Sequence, residues 1–202
     1  MAKIKEINHQ IQLLFQECGI RSLTMDDISK KLGCSKKTLY VFYKNRRDLV
    51  KKVIAQEMKA HEAEILAIIK KDQNPIDEIF LLNKIALKKI KTIHPSTQYE
   101  LKKYYPSAWK VFDKKHKQLI SKVTLSNLKR GIKMGLYRKE INPNIMATIF
   151  AEKIDIVFNG VVFNPPMNSF SAAFEELMNH YVHGIITNEG RIYFFKTLKN
   201  ST

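Results

Sequence analysis

The fold is decided by residues 23–49, which read LTMDDISKKLGCSKKTLYVFYKNRRDL. Thr24 precedes apolar residues at helical spacing, and Asp27 follows it three positions later. A hydroxyl residue with a carboxylate at that offset forms a capping box, so we expect a helix to begin after Thr24. Gly33 is the residue at which this helix should stop, because glycine adopts the left-handed conformation that ends helices.

A second short helix is expected directly after the turn that contains Gly33. Ser35 is its N-cap, and the helix should run to about Tyr43. Asn45 then caps a long helix that we expect to reach about residue 71. Two short helices joined by a brief turn with a glycine are typical of a helix-turn-helix.

The remainder of the chain is helical in pattern as well. Apolar side chains recur at helical spacing in residues 4–18, and no alternating run is long enough to predict a strand. Prolines and glycines divide the rest into helices expected at about 76–93, 96–104, 106–134, 143–162 and 170–188. The pattern leaves open whether 96–134 forms two helices or three, and it gives no assignment for 190–202.

These elements predict an all-α protein with two domains. A three-helix domain containing the helix-turn-helix is expected at residues 1–47. A larger helical domain is expected at residues 48–202.

Composition limits the partners of the protein. The formal net charge of +16 favours a polyanion such as nucleic acid. The net charge is +6 in residues 1–70, +11 in 71–140 and −1 in 141–202, so charge alone does not locate the binding surface.

Several classes of protein are disfavoured. No apolar run is long enough for a membrane span, and the first residues lack the apolar core of a secretory signal, so we expect a cytoplasmic protein that does not bind membranes. Cys18 and Cys34 form no CxxC pair and are interpreted as small buried side chains. GxxxxGK[ST], GxSxG and HExxH motifs are absent, which argues against an enzyme, and no cofactor is predicted.

The first fifty residues resemble the DNA-binding domain of the tetracycline-repressor (TetR) family. The resemblance is carried by Leu14-Phe15, Gly19, Thr24-Met25-Asp26-Asp27-Ile28, Gly33-Cys34-Ser35, Thr38-Leu39-Tyr40 and the basic Lys44-Asn45-Arg46. Ser29, Lys37 and Tyr43 depart from the pattern, which usually has alanine, glycine and phenylalanine there. This resemblance implies a bacterial transcriptional regulator, by habit a repressor, that binds a double-stranded DNA operator.

Eight residues are candidates for contact with DNA: Thr24, Ser35, Lys36, Lys37, Thr38, Tyr40, Lys44 and Arg46. Hydroxyls and helix amino ends suit phosphate oxygens, and Lys44 and Arg46 are expected to hold the DNA backbone. The resemblance implies that Tyr40 contacts a phosphate and that Lys36, Lys37 and Thr38 read base edges. The competing interpretation is a three-helix core with a solvated basic face.

The resemblance also implies a homodimer, in which the last two long helices pair with their copies. The expected seam comprises Ile149, Phe150, Ile154, Val157, Val161, Phe174, Leu177, Met178 and Tyr181. A dimer makes physical sense because it reads two half-sites about 34–36 Å apart.

An apolar cavity for a small-molecule effector is a further implication of the resemblance. Its candidate lining is aromatic: Phe80, Tyr104, Tyr105, Trp109, Phe112 and Phe158. Ordinary core packing is the competing interpretation for each residue. Effector binding would move the two DNA-binding domains off their half-site spacing, whereas control by a protein partner, or no effector at all, is the alternative.

One polar pattern on the last predicted long helix suggests a metal site. Glu176, His180 and His183 lie at i, i+4 and i+7, a spacing that could present three ligands. Polar positions on an interface helix are the interpretation we favour, and no metal is predicted.

Overall fold

The protein is all-α in the computed structural model, which describes residues 2–94, 96–158 and 170–201. The described residues form ten helices: α1 Ala2–Cys18, α2 Met25–Lys31, α3 Lys36–Phe42, α4 Arg46–Ile69, α5 Pro75–Thr92, α6 Thr97–Tyr104, α7 Pro106–Lys133, α8 Pro143–Phe158, α9 Phe170–Ile185 and α10 Asn188–Ser201. Extended pairing in these ranges is limited to one isolated antiparallel bridge between Tyr137 and Ile186. The predicted fold class is confirmed.

The helix boundaries follow the predicted caps closely. Thr24 and Ser35 are the N-caps of α2 and α3, and α4 begins directly after Asn45. Residues 96–134 form two helices, which settles the alternative that the pattern left open. Helix α10 was not predicted, and the expected end of α8 near residue 162 lies outside the described residues.

Two compact units make up the chain, and each combines separate stretches of sequence. The first contains Met1–Ala63 and Thr92–His116, and the second contains Glu64–Lys91 and Lys117–Thr202. The predicted domain division at residue 47 stays a prediction. Across the described ranges, no helix is both long and apolar enough to span a bilayer.

The core of the first unit extends beyond the three amino-terminal helices. Its buried residues are Ile11, Phe15, Ile20, Leu23, Met25, Ile28, Leu39, Tyr43, Leu49, Val50, Val53, Leu101, Tyr105 and Ala108. The last three come from α6, its C-cap and α7, roughly 50 residues farther along the chain than Val53. Cys18 and Cys34 pack against this core, but they are half-buried rather than buried as expected.

A polar network crosses the core of the second unit. The side chain of Glu78 is fully buried, and Asn127 Nδ2 donates to its Oε1 at 2.8 Å. Arg130 Nη2 donates to the other carboxylate oxygen, and the Tyr137 hydroxyl donates to Asn127 Oδ1 at 2.9 Å. These partners are needed because an unpaired buried carboxylate is costly. Burial also raises the pKa of Tyr137, which keeps this donor protonated.

Helix α10 packs against α5 in the second unit. The Phe194 ring stacks on Phe80 with centroids 5.0 Å apart, and the Tyr193 hydroxyl donates to Asp77 Oδ2 at 2.7 Å. The carboxy-terminal residues therefore form part of the fold of the second unit.

Candidate nucleic-acid interface

The turn between α2 and α3 is fixed by local hydrogen bonds. Asp27 N donates to Thr24 Oγ1 at 3.1 Å, and Thr24 N donates back to Asp27 Oδ2 at 2.8 Å. Hydrogen bonds from Thr24, first from its side chain and then from its backbone, hold the pKa of Asp27 below its usual value. Gly33 has a φ of +63°, a backbone angle that residues other than glycine rarely adopt. The sequence thus determines the angle between the two short helices locally.

The hydroxyls of the two caps are engaged within the chain. Thr24 Oγ1 donates to Asp27 Oδ2 at 2.6 Å, while Ser35 Oγ accepts from Thr38 N at 3.0 Å. Ser35 Oγ also lies 2.8 Å from Thr38 Oγ1. Any phosphate contact by these hydroxyls would therefore share or replace a capping hydrogen bond.

The outward side of α3 carries exposed cationic and amphipathic side chains. We name it the recognition surface, and it comprises Lys36, Lys37, Tyr40 and Val41, with Lys44 just beyond the helix. On the inward side Leu39 is fully buried, as is the C-cap residue Tyr43. Packing through those two residues leaves the recognition surface free for a ligand.

The lysines of the recognition surface differ in their local electrostatics. Lys36 Nζ lies 3.0 Å from Asp26 Oδ2, and the hydrogen bond with that carboxylate raises the pKa of Lys36. Lys37, one position along, projects from an exposed site. A DNA contact by Lys36 has to compete with Asp26, so Lys37 is the better candidate to read a base.

Lys44 lies just before α4 and next to Asn45, the N-cap of that helix. Its backbone N–H donates to Asp48 Oδ2 at 3.0 Å, and Asp48 N donates to Asn45 Oδ1 at 2.9 Å. Hydrogen bonds from Lys52 and from the Lys44 backbone lower the pKa of Asp48. The Lys44 side chain is exposed, which leaves it accessible to a ligand.

Arg46, which was predicted to hold the DNA backbone, makes its hydrogen bonds within the chain. Its Nε donates to the Tyr105 hydroxyl at 2.9 Å, and its Nη2 donates to the carbonyl of Ile20. The guanidinium therefore joins the start of α4 to the segment after α1 and to the C-cap of α6. This arrangement gives no support to a DNA contact by Arg46, which stays untested.

A second connection to the same segment was not predicted. Glu100, on α6, accepts hydrogen bonds from the backbone N–H groups of Ile20 and Arg21 at 2.7 and 2.9 Å. The Ser96 hydroxyl donates to the other carboxylate oxygen at 2.7 Å. About 80 residues separate the partners, and no local pattern signals such a pairing.

The predicted aromatic cavity residues are only partly brought together. Tyr104, Tyr105 and Trp109 pack in the first unit, and the Trp109 and Phe112 rings lie 5.4 Å apart. Phe80 belongs to the second unit and stacks on Phe194; nothing is described of the Phe158 side chain. A cavity of about 410 Å³ lies elsewhere, lined by Asp72, Gln73, Asn74, Arg130, Lys133 and Met134. None of its lining residues belongs to the predicted set, whose role stays a prediction.

The predicted dimer seam is largely covered within one chain. Phe150, Ile154, Phe174, Met178 and Tyr181 are buried, Leu177 is half-buried, and the side chains of Val157 and Val161 fall outside the described ones. The Phe150 and Tyr181 rings lie 4.1 Å apart, which pairs α8 with α9 inside the protein. Ile149 of the predicted seam is exposed on α8, as are Ile145 and Ile156, which were not predicted.

The candidate metal ligands are exposed on α9. In the described part of the chain, no three histidine, cysteine or acidic side chains are grouped closely enough to hold a metal ion. The His183 ring packs beside Phe194, with centroids 5.6 Å apart. This contact fits the polar, structural interpretation of these residues.

A capped helix-turn-helix with exposed lysines on its second helix is typical of the helix-turn-helix class of DNA-binding proteins. Residues 13–53 match the model of the bacterial regulatory proteins of the tetR family. The HTH-type transcriptional regulator YvaF of Bacillus subtilis (strain 168) is 27% identical over 143 residues, which cover 68% of this chain and 72% of YvaF.

Solved structures agree on the fold. A TetR-family regulator from Agrobacterium tumefaciens superposes with a TM-score of 0.70 and 18% identity, covering 92% of this chain and 98% of its own. FadR from Bacillus subtilis, solved in complex with stearoyl-CoA, gives a TM-score of 0.64 and 17% identity over 91% of this chain and 99% of its own. Residues 13–53 thus match the tetR family of bacterial regulatory proteins, and most of the chain has the fold of the solved TetR-family regulator from Agrobacterium tumefaciens.

Proposed function

We propose that the protein is a homodimeric repressor that a small molecule releases from a palindromic operator. The observation that carries this proposal is the pair of connections from the 96–105 segment to the turn after α1. Glu100 accepts hydrogen bonds from two backbone N–H groups of that turn. The Tyr105 hydroxyl accepts a hydrogen bond from Arg46, which also donates to the Ile20 carbonyl. A rearrangement of α6 would therefore displace the DNA-binding helices.

The contacts with DNA follow from the recognition surface. Lys37 reads a base edge in the major groove, and Tyr40 and Lys44 contact phosphates. Lys36 contacts DNA as well once its ion pair with Asp26 is broken. Thr24, Ser35 and Thr38 supply hydroxyls at the edge of the same surface.

Dimerisation is supported by the small size of the recognition surface and by the exposed isoleucines of α8. One seven-residue helix reaches few base pairs, so specificity requires two half-sites. Ile145, Ile149 and Ile156 are 58%, 42% and 47% exposed and recur at helical spacing. Burying them against a second copy would remove this apolar surface from water.

The proposed effector is a small organic molecule. FadR from Bacillus subtilis, which has a similar fold, was solved with stearoyl-CoA, and this supports a small organic ligand as a class. The Tyr105 hydroxyl takes part in one connection, and the Arg21 guanidinium lies 4.0 Å from the centre of the Tyr104 ring, so a ligand that contacts these aromatic side chains would act directly on the turn.

The test begins with selection of bound sites from random duplex DNA by purified protein at near-physiological salt. A palindrome with half-sites about 34–36 Å apart supports the proposal, whereas a single half-site contradicts the dimer, and no enrichment contradicts specific recognition. The selected site then serves in a displacement screen with small molecules. A reporter placed downstream of the site distinguishes repression from activation.

Variants of the connections test the release mechanism. Tyr105→Phe removes the acceptor of Arg46 Nε and leaves the bond from Nη2 to the Ile20 carbonyl. The change touches no residue of the recognition surface, so the variant should bind the selected site and respond less to the displacing compound. An unchanged response would contradict transmission through this contact.

A further inference from the structure

Val41 is the most exposed large apolar residue in the described part of the chain. Its side chain is 75% exposed, compared with 47% for its neighbour Tyr40. Lys37 lies one helical turn before it on α3, so the two side chains are adjacent on the recognition surface. An apolar group thus lies among cations on the surface that faces DNA.

Neither packing nor helix propensity accounts for valine at this position. Leu39 and Tyr43 bury the inward side of the helix, and Val41 takes no part in that core. Valine is a weaker helix former than alanine or lysine, because its branched side chain loses rotamer freedom against the preceding turn. Its place on the outward side of α3, beside the exposed lysines, puts this apolar side chain where a ligand of the recognition surface would contact it.

We infer that Val41 is a specificity-determining residue that contacts the C5-methyl group of a thymine in the major groove. The thymine methyl is the one apolar group that the bases present there, and apolar side chains recognise it by direct contact. The neighbouring lysines attract every DNA sequence through long-range electrostatics, whereas contact between two apolar groups acts only at short range. Val41 therefore adds sequence discrimination that the charges do not supply.

The position of the thymine follows from the helix. Side chains four residues apart on a helix are about 5–6 Å apart, and successive base pairs are about 3.4 Å apart. The methyl contact should therefore lie one or two base pairs from the base that Lys37 reads.

The experiment uses the full chain and the site selected above, because this inference rests on the proposed DNA binding. Each thymine of one half-site is replaced in turn by deoxyuridine, which pairs identically and lacks only the methyl. For one thymine the wild type should lose affinity roughly fourfold, the value expected for one buried methyl-sized group. Val41→Ala should bind the thymine site more weakly and show no further loss with deoxyuridine.

Two controls separate recognition from folding. Ile192→Ala removes a comparably exposed residue, 73% exposed on α10, and should keep the full deoxyuridine effect. The melting temperature of Val41→Ala should match the wild type, because the replaced side chain is exposed. The inference is overturned if no thymine shows a methyl effect, or if Val41→Ala retains the same effect. Failure to select any site would contradict the proposed function itself, and this inference with it.

Discussion

Tyr43 explains one departure from the family pattern at the level of a single residue. Its hydroxyl donates to Asn8 Oδ1 at 2.6 Å, and Asn8 Nδ2 donates to Gln56 Oε1 at 2.8 Å. Both Tyr43 and Asn8 are buried, so the hydroxyl that phenylalanine would lack has a partner on α1. The tyrosine and the asparagine form a matched pair that joins three helices.

Tyr43→Phe should therefore destabilise the protein despite the similar shape of the two side chains. The buried Asn8 oxygen would lose its donor, so we expect the free energy of unfolding to fall by about 1–3 kcal/mol. Urea denaturation measures this loss. Tyr40→Phe is the matched control, because it removes an exposed hydroxyl and should leave stability unchanged; equal effects of the two variants would contradict the argument.

Because of the Tyr43 hydroxyl, we expect the stability of the protein to depend on pH in the alkaline range. Burial, with a smaller contribution from Asp48, raises the pKa of Tyr43 to about 12 from the ordinary 10.0. The folded state therefore favours the neutral phenol, and this contribution to stability is complete below pH 10 and lost as the pH rises towards 12. Between these pH values the melting temperature should fall less steeply with pH for Tyr43→Phe than for the wild type. Identical slopes of melting temperature against pH would show that Tyr43 does not titrate in this range.

Lys37 and Lys44 should affect DNA binding in different ways. Lys37→Ala should change the preferred base at one position, because it removes a base contact. Lys44→Ala should weaken binding to all sequences and reduce the slope of log affinity against log salt by about 0.9, because it removes a phosphate contact. Titrations at several salt concentrations measure both, with exposed Lys139→Ala as the control. A uniform loss for Lys37→Ala would refute its role as a base reader.

The helices were predictable wherever their boundaries are fixed by neighbouring residues. Thr24, Ser35 and Asn45 cap their helices through hydrogen bonds that span three positions, and such short patterns are visible in a sequence. Helix α10 also has such a cap, since Gly190 N donates to Thr187 Oγ1 at 3.1 Å, but the residues after it do not show a helical apolar pattern. Ile192 to Phe195 are consecutive and apolar, and only the fold decides that Phe194 is buried while Ile192 and Phe195 face outward.

At the start of α10 the backbone of Leu136 comes close to Gly190. A Cβ at this position would lie 2.2 Å from the Leu136 backbone oxygen, which cannot move aside as a side chain could. Gly190→Ala should therefore displace α10 and lower the melting temperature by several degrees. Gly184→Ala is the matched control, since a Cβ there meets nothing within 4 Å, and this helical site should gain roughly 0.4–1 kcal/mol. Equal melting temperatures for the two variants would contradict the steric argument.

At the scale of the whole molecule, the contacts that the sequence did not reveal join residues far apart in the chain. Glu100 and Tyr105 were unpredictable partners of the turn after α1, because nothing near them in the sequence marks the pairing. The sequence shows the basic neighbours of Arg46, on which its predicted contact with DNA rests, but it does not show that Tyr105 lies beside it. The exposed positions of Lys36, Lys37, Tyr40 and Lys44 were predictable because these residues lie in one short, continuous stretch, whereas Val41 was not among the predicted residues.

Ile149 tests the proposed dimer without disturbing the core of one chain. Its side chain is 42% exposed, so Ile149→Asp should fold normally but place a charge in the interface between copies. Sedimentation should show a monomer with reduced affinity for the palindrome. Ile192→Asp, at a 73% exposed site on α10, should remain dimeric, and a dimeric Ile149→Asp would contradict the use of this side of α8.

The separated stretches of the first unit have a consequence for how the protein is made. Leu101, Tyr105 and Ala108 complete a core whose other members end at Val53. A ribosome adds about 5–20 residues per second, so the nascent amino-terminal helices wait roughly 3 to 11 seconds for these side chains. During translation the half-built domain exposes apolar surface that chaperones bind, and we expect operator binding to begin only after the start of α7 has left the exit tunnel.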